Sequence, residues 1–589
     1  MSKTRALARR AGFLGLVVFL LGGAREGWSA TPPPLHAKHA AVASDHPEAS
    51  AAGVAVLKAG GNAADAACAT ALALGVVHPF ASGIGGGGFA VIYVAKEHRT
   101  YALDFRERAP AAIRAEMFLK DGKADPKLSR EGGLAVGVPG EVRGLGEMVR
   151  RFGKLPFGRC VAPAETLARG AHVSWRLAEA TAPNAPTPGA PAPDAPKGDG
   201  QRDPLVTAIF GAQSLQQGAL VRRLDLARTL ARLRTGGPDA FYKGPIADAI
   251  VASVKQAGGV LSRDDLEKYT ATERTPVEIP YRGHRVFTMP PPSSGGTALA
   301  ETLGILAARY PDSAAMAKAG AGSSAYLQVL GEAFKHAFAD RARHLGDPDF
   351  VKVPMEHLLA PAYHAELAKR IKDGGVLPAA QYGTPDAPAD LHRDGGTTHL
   401  SVVDAEGNAV ALTTTVNLGF GARLLAGNTG IVLNDQMDDF AMQPGVPNGF
   451  GLIGSAQNAV APGKRPLSSM TPVIVLDADG VRLVAGAAGG PTIITSTTQV
   501  LLNVLDFNLD AQAAIAAPRI HDQWFPEALR VEPEIPRDVA DALVARGQKV
   551  NPIGHVGVAN LIVRARPRGD EKGWDAAAEP RSPSAPAGY

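Results

Sequence analysis

Apolar positions along this chain recur with two different periods, and the switches between them mark out its elements. Small and apolar residues run almost unbroken from Ala63 to Val77 behind Asn62, with Asp65 three places on; this predicts a capped helix buried on most sides. Phe89–Val94 and Tyr101–Phe105 predict short strands. Residues 141–180 read as helical, Leu224–Leu233 and Pro245–Ala257 as amphipathic helices, and Ala325–Arg343 as a long helix. Tyr281–Phe287 alternates like a strand until the run Met289–Gly296 breaks it, and Gly430–Asn434 reads as another strand. Val473–Leu476 and Val481–Val484 flank the turn chemistry of Asp477–Gly480 and predict a hairpin. Pro491–Leu505 predicts a helix rising from a glycine-rich turn.

A second hairpin carries candidate chemistry. Thr397–Val403 is rich in β-branched residues, Asp404–Asn408 is turn chemistry with Gly407 suited to a left-handed position, and Ala409–Val416 returns. If Asp404 and Asn408 close the loop, Thr397 lies opposite Thr415 with Cβ atoms about 5 Å apart. Two hydroxyls side by side, at a strand start preceded by Asp394-Gly395-Gly396, suggest an activated threonine. A threonine hydroxyl needs a base to take its proton, and no histidine sits at an informative spacing from Thr397. The alternative is Thr as the first residue of a chain, whose α-amino group, with a pKa of about 7.7–8.0, is itself the base. That reading requires a cut between Gly396 and Thr397; on pattern alone, a threonine-rich hairpin is also simply a hairpin.

Length and charge narrow the classes. A chain of 589 residues favours two lobes or one large sandwich, and a net charge of +4 gives no argument for nucleic acid. Lys3, Arg5, Arg9 and Arg10 precede an apolar run, Ala11–Gly23, too short for a membrane span. Residues 1–30 therefore read as a signal peptide, cleaved after Ala24 or Ala30, and the protein as exported, periplasmic or secreted; an uncleaved anchor is the alternative. No other apolar run reaches transmembrane length. Residues 31–40 read as a poorly ordered tail, and His36, His39 and His46 show no metal-ligand pattern. Cys68, in an apolar helical run, reads as a buried free thiol, with Cys160 the only other cysteine. Gly83–Gly88 matches G-x-G-x-x-G, but a helix precedes it and a strand follows, the reverse of a dinucleotide site; the glycines instead let backbone pass close to other elements. Thr181–Gly200 is a Pro/Ala-rich stretch expected to be an exposed loop, and Asp386–Asp394 a flexible polar segment before the proposed cut.

The segments TTHLSVVDAEGNAV, NDQMDDF, KRPLSSMTP and GAAGGP, together with NAADAA and HPFASGIGGGGF nearer the start, resemble the γ-glutamyltranspeptidase family in order and spacing from about Ala40 to Tyr589. The resemblance implies an α+β fold, the four-layer αββα sandwich of N-terminal nucleophile hydrolases, formed by two autoprocessed fragments, 31–396 and 397–589. It implies transfer of a γ-glutamyl group, from glutathione or related amides, to water or to an amino acid or peptide, with no cofactor and no metal. Thr397 would be nucleophile and, through its freed amine, base; Thr415 would hydrogen-bond it; Gly489 and Gly490 would form the oxyanion hole. Arg106, Ser468 and Ser469 would hold the donor α-carboxylate, and Asn417, Gln436 and Asp439 its α-ammonium. Pro444–Ser455 matches a lid of bacterial members, in which a tyrosine commonly bonds the asparagine matching Asn417. Here Phe450 stands in that place and implies a looser lid and altered acceptor handling. The Pro/Ala stretch at 181–200 is a departure from the family. The partners implied are small-molecule substrates and the protein's own second fragment. Two other classes remain open: a cephalosporin-type acylase on the same scaffold, and an uncut, binding-only relative.

Overall fold

Strands whose side chains are buried on both faces need cover on both sides, and that requirement organises this molecule. The computed structural model describes residues 31–182, 203–383, 396–566 and 572–589. From Pro34 onward two seven-stranded antiparallel sheets lie face to face. One has the order Leu35–Ala37, Trp574–Ala578, Val558–Arg564, Gly480–Ala488, Val473–Asp477, His284–Thr288, Val277–Tyr281. The other runs Ala585–Gly588, Ala41–Ser44, Thr397–Val403, Ala409–Thr415, Gly87–Val94, Arg99–Phe105, Thr272–Arg274. Val91, Tyr93, Val403 and Ala411 of the second sheet meet Phe287, Ile474, Val484 and Ile562 of the first in an apolar layer between them. Helices Ala63–Val77, Glu141–Phe152 and Phe157–Arg169 cover the outer face of the second sheet, and Gly295–Arg309, Ser324–His344 and Thr492–Leu505 that of the first. The result is the αββα arrangement of the α+β class, and each sheet takes strands from before and after Gly396.

Local chemistry accounts for the elements that frame the site. Asn62 caps Ala63–Val77 reciprocally with Asp65, and every residue of that helix is buried. The central hairpin has the expected register, Thr397 opposite Thr415, with Asp404 N–H bonded to the Asn408 carbonyl at 3.1 Å and Gly407 at φ +83°. The glycine run packs where no Cβ fits: a Cβ on Gly86 would stand 1.9 Å from the Thr415 carbonyl oxygen, and one on Gly85 2.0 Å from that of Val432.

Three expectations are corrected. Leu35–Ala37 is a strand paired with Trp574–Ala578, and the N–H groups of His39 and Ala40 bond the Tyr589 carbonyl, so this segment is held by the chain's end where a tail was expected. Tyr281–Phe287 is two strands, because Arg282 and Gly283, both at positive φ, turn the chain between them. Gly430–Asn434 joins no sheet; its backbone bonds back to Ala422, Leu424 and Ala426, making a folded loop. Cys68 and Cys160 are both free and buried. Residues 1–30, 183–202 and 384–395 lie outside the described residues, and with them the signal-peptide reading, nearly all of the Pro/Ala stretch and the segment before the expected cut. No helix among the described residues is long and apolar enough to cross a membrane.

Candidate active site

Thr397 opens the strand Thr397–Val403, half-buried, and its neighbour Thr415 is in turn paired with Gly87. The two threonine hydroxyl oxygens are 3.0 Å apart. The Thr415 hydroxyl donates to the Gly396 carbonyl in a short bond and accepts from the Asn417 N–H at 2.8 Å. A hydroxyl has one proton to give, so across the 3.0 Å contact Thr397 donates and Thr415 accepts. Gly396 has no room for a side chain: a Cβ would stand 2.0 Å from the Asn417 carbonyl oxygen.

One histidine shares the face of Thr397. His399 is two residues along the strand and fully buried, with Nδ1 2.9 Å from the Thr413 hydroxyl and Nε2 3.1 Å from that of Ser401. Burial pushes its pKa down to about 3. Both ring nitrogens are engaged away from Thr397, so the imidazole is not a base for it.

Thr397 and Thr415 face a small cavity of about 20 Å³ that is also lined by Arg106, Asn417, Gln436, Asp439, Phe450, Ser468, Ser469 and Gly490. Arg106 follows strand Arg99–Phe105 and is 1% exposed, although a run such as FRERAP reads as a solvated strand end. It is drawn in by Asp439, which its guanidinium pairs at short range, and by the Pro466 carbonyl at 3.3 Å. Asp439 also accepts from Gln436 Nε2 at 2.7 Å. Burial raises the Asp439 pKa, against the opposing pull of Arg106. Asn417 sits at φ +82°, with Nδ2 donating to the Asp435 carbonyl at 3.1 Å. Ser468 Oγ accepts the Met470 N–H at 3.1 Å.

Gly489 and Gly490, both at positive φ, form the turn before helix Thr492–Leu505, and neither N–H makes a hydrogen bond among the described residues. Gly490 reaches the cavity wall; Gly489 is its neighbour outside the lining. The lid segment closes over this turn. Phe450 packs with Leu418, Ile494 and Trp524, and a Cβ on Gly490 would stand 2.6 Å from its ring. Its ring makes no hydrogen bond to Asn417. The lid is held by Gly449 N–H to Asp438 at 2.7 Å and by the Asn448 side chain, which accepts from the N–H groups of Phe450 and Leu452.

Sequence reasoning missed the lining residues Leu452, Met470 and Ile493, and it missed Glu107. Glu107 is fully buried, 3.9 Å from the Arg106 guanidinium; burial, only partly offset by Arg106, pushes its pKa up to about 8, so it is protonated at neutral pH. Its one sequence signal was its place beside Arg106. Among the described residues no group of three or more His, Cys, Asp or Glu is placed to hold a metal ion.

The chain is similar to known proteins over most of its length. The family model described as Gamma-glutamyltranspeptidase matches residues 49–589. The glutathione hydrolase proenzyme of Escherichia coli is 42% identical over 522 residues, covering 88% of this chain and 87% of its own. Among solved structures, the cephalosporin acylase from Bacillus halodurans superposes with a TM-score of 0.80 at 29% identity, covering 97% of this chain and 99% of that one. The Helicobacter pylori γ-glutamyltranspeptidase gives a TM-score of 0.52 at 38% identity, covering 60% of this chain and 95% of that one.

Proposed function

The chain belongs to the γ-glutamyltranspeptidase family, and we propose that it passes the γ-glutamyl group of glutathione and related amides to water, or to an amino acid or peptide, through an ester on Thr397. The observation that carries this reading is a single cavity that holds the Thr397 hydroxyl together with a buried guanidinium, Arg106, and a half-buried carboxyl group, Asp439. A γ-glutamyl donor presents an α-carboxylate and an α-ammonium, and the two poles suit that pair.

The reaction begins on the chain itself. Thr397 Oγ attacks the Gly396 carbonyl carbon while the Thr415 hydroxyl, already bonded to that oxygen, supports the developing charge. The C–N bond breaks, leaving an ester and a free α-amine on Thr397; water then releases Gly396 as a carboxylate. The fragments 31–396 and 397–589 stay together because both sheets are built from both. In turnover the free amine takes the hydroxyl proton, Thr397 attacks the γ-amide carbonyl, and the N–H groups of Gly489 and Gly490 are free to receive its oxygen. Arg106, Ser468 and Ser469 hold the α-carboxylate, and Asn417, Gln436 and Asp439 the α-ammonium. The basic and apolar start of the chain reads as a signal for export to the periplasm or beyond.

An acylase acting on glutaryl-type amides is the competing reading, favoured by the 0.80 TM-score with the cephalosporin acylase. Such a substrate has no α-ammonium and would leave Asp439 unanswered. The test compares release from a γ-glutamyl anilide and a glutaryl anilide, with mass spectrometry of the smaller fragment. A fragment beginning at Thr397 and a strong preference for the γ-glutamyl compound are expected. One intact chain, or preference for the glutaryl compound, would overturn the proposal.

A further inference from the structure

A buried cation stands behind the serine pair. Arg341, on helix Ser324–His344, is 4% exposed, and among the described residues no carboxylate forms an ion pair with it. Its Nε donates to the Ser294 hydroxyl at 3.1 Å. That hydroxyl and the Ser294 N–H both donate to the Ser468 carbonyl, each at 2.7 Å. Ser468 N–H bonds the Pro292 carbonyl at 2.8 Å, and the Ser293 hydroxyl bonds the Met470 carbonyl at 2.5 Å. The segment from Pro292 to Ser294 thus grips Ser468-Ser469-Met470 from behind, and Arg341 anchors the grip.

The charge is unbalanced. A buried guanidinium without an anion costs several kcal/mol. The carboxyl group its field reaches is Asp439, which Arg106 already pairs, and Arg106 itself repels it. Burial lowers the Arg341 pKa to about 10, which leaves it charged at neutral pH. Around these two guanidinium groups and Asp439 stand the Glu107 carboxyl group, itself protonated at neutral pH, Asp438, which Arg130 pairs at 3.2 Å, and Asp435, whose pKa burial raises well above the usual carboxylate range, so none of the three offsets Arg341. An incoming carboxylate would supply the missing negative charge.

We propose that Arg341 is a positioning and specificity-determining residue of the donor site, setting the Ser468 turn through Ser294 and supplying the long-range positive charge that selects a donor with a free α-carboxylate. This rests on the γ-glutamyl reading of the same cavity. It acts through Ser294 and through its field, without touching substrate.

The test reads binding rather than turnover, so it stands apart from the activity assay above. Calorimetry on the full protein as isolated measures affinity for L-glutamate and for its α-amide, which keeps the ammonium and lacks the α-carboxylate. The parent is expected to prefer L-glutamate. Arg341→Met is expected to lose about tenfold or more in L-glutamate affinity while its affinity for the α-amide stays within about twofold. Arg341→Lys, which keeps the charge, should retain most of the preference. Ser294→Ala, which keeps Arg341 but frees Ser468, should weaken L-glutamate binding about fivefold. Equal losses for both ligands in Arg341→Met, a Lys variant no better than Met, no effect of Ser294→Ala, or a parent without preference would each overturn the proposal. Should the Met variant fail to fold, the Lys and Ala variants decide it.

Discussion

The Thr397 hydroxyl donates to the Thr415 hydroxyl across 3.0 Å, because the one proton of Thr415 is committed to the Gly396 carbonyl. In the proposed cleavage Thr415 would therefore both accept from the attacking group and polarise the carbonyl under attack. Thr415→Val, which removes both roles with little change of volume, should slow chain cleavage by about 10²–10³-fold. Thr415→Ser should restore most of it. Time courses on denaturing gels separate these outcomes; cleavage of the Val variant at the parent rate would remove Thr415 from the mechanism.

Gly396 is required by space. A Cβ there would meet two backbone carbonyl oxygens, of Asn417 at 2.0 Å and of Leu418 at 2.6 Å, neither of which can swing aside as a side chain would. Gly396→Ala should displace the scissile carbonyl from Thr415 and leave mostly uncut chain, at a cost of about 1–3 kcal/mol. Intact mass spectrometry and a melting curve measure both; normal cutting with an unchanged Tm would contradict the argument.

Arg106 and Asp439 pair with each other in the cavity wall. Removing one partner of a buried pair strands the other, typically at about 3–5 kcal/mol. Arg106→Gln and Asp439→Asn should each lower Tm and raise donor KM by about 10²-fold, with kcat less affected. L-Glutamate should raise the Tm of the parent and fail to do so in either variant.

Glu141 offers a pH test away from the substrate groups. Burial, with the Thr414 hydroxyl opposing, raises its pKa from 4.5 to about 8. Below about pH 4.5 both folded and unfolded chains hold this proton. Between about pH 4.5 and 8 only the folded chain does, so the group's contribution to stability falls as pH rises and levels off above about 8. Glu141→Gln, which cannot ionise, should lack this loss: relative to the parent its Tm should climb across that window. A parallel pair of Tm–pH curves would show that Glu141 titrates normally.

Phe450 covers the Gly489-Gly490 turn without a hydrogen bond to Asn417, whose Nδ2 is given to the Asp435 carbonyl. Phe450→Tyr adds a hydroxyl above a polar pocket and should shift acceptor KM by about three- to tenfold, an amount expected of one hydrogen bond, while donor hydrolysis changes less. Indistinguishable acceptor kinetics would mean that the lid's backbone anchors, Gly449 to Asp438 above all, already set its position.

The sequence by itself determined what short-range chemistry can determine. Asn62 and Asp65 three residues apart make a helix cap, and the turn residues Asp404–Asn408 set the register that brings Thr397 opposite Thr415. The motif order pointed to the family and so to the αββα fold. It was silent wherever an environment depends on distant chain. Leu35–Ala37 is a strand only because Trp574–Ala578 offers an edge, and nothing local to either segment records the other. Arg106 is buried because Asp439, 333 residues away, pairs with it. Arg341 lies on a helix whose pattern shows nothing unusual, and its cost and its use appear only once the helix packs behind Ser294 and Ser468. Periodicity and turn preference are carried by a few neighbouring residues, whereas burial, and the charge balance that burial makes expensive, is a property of the closed sandwich.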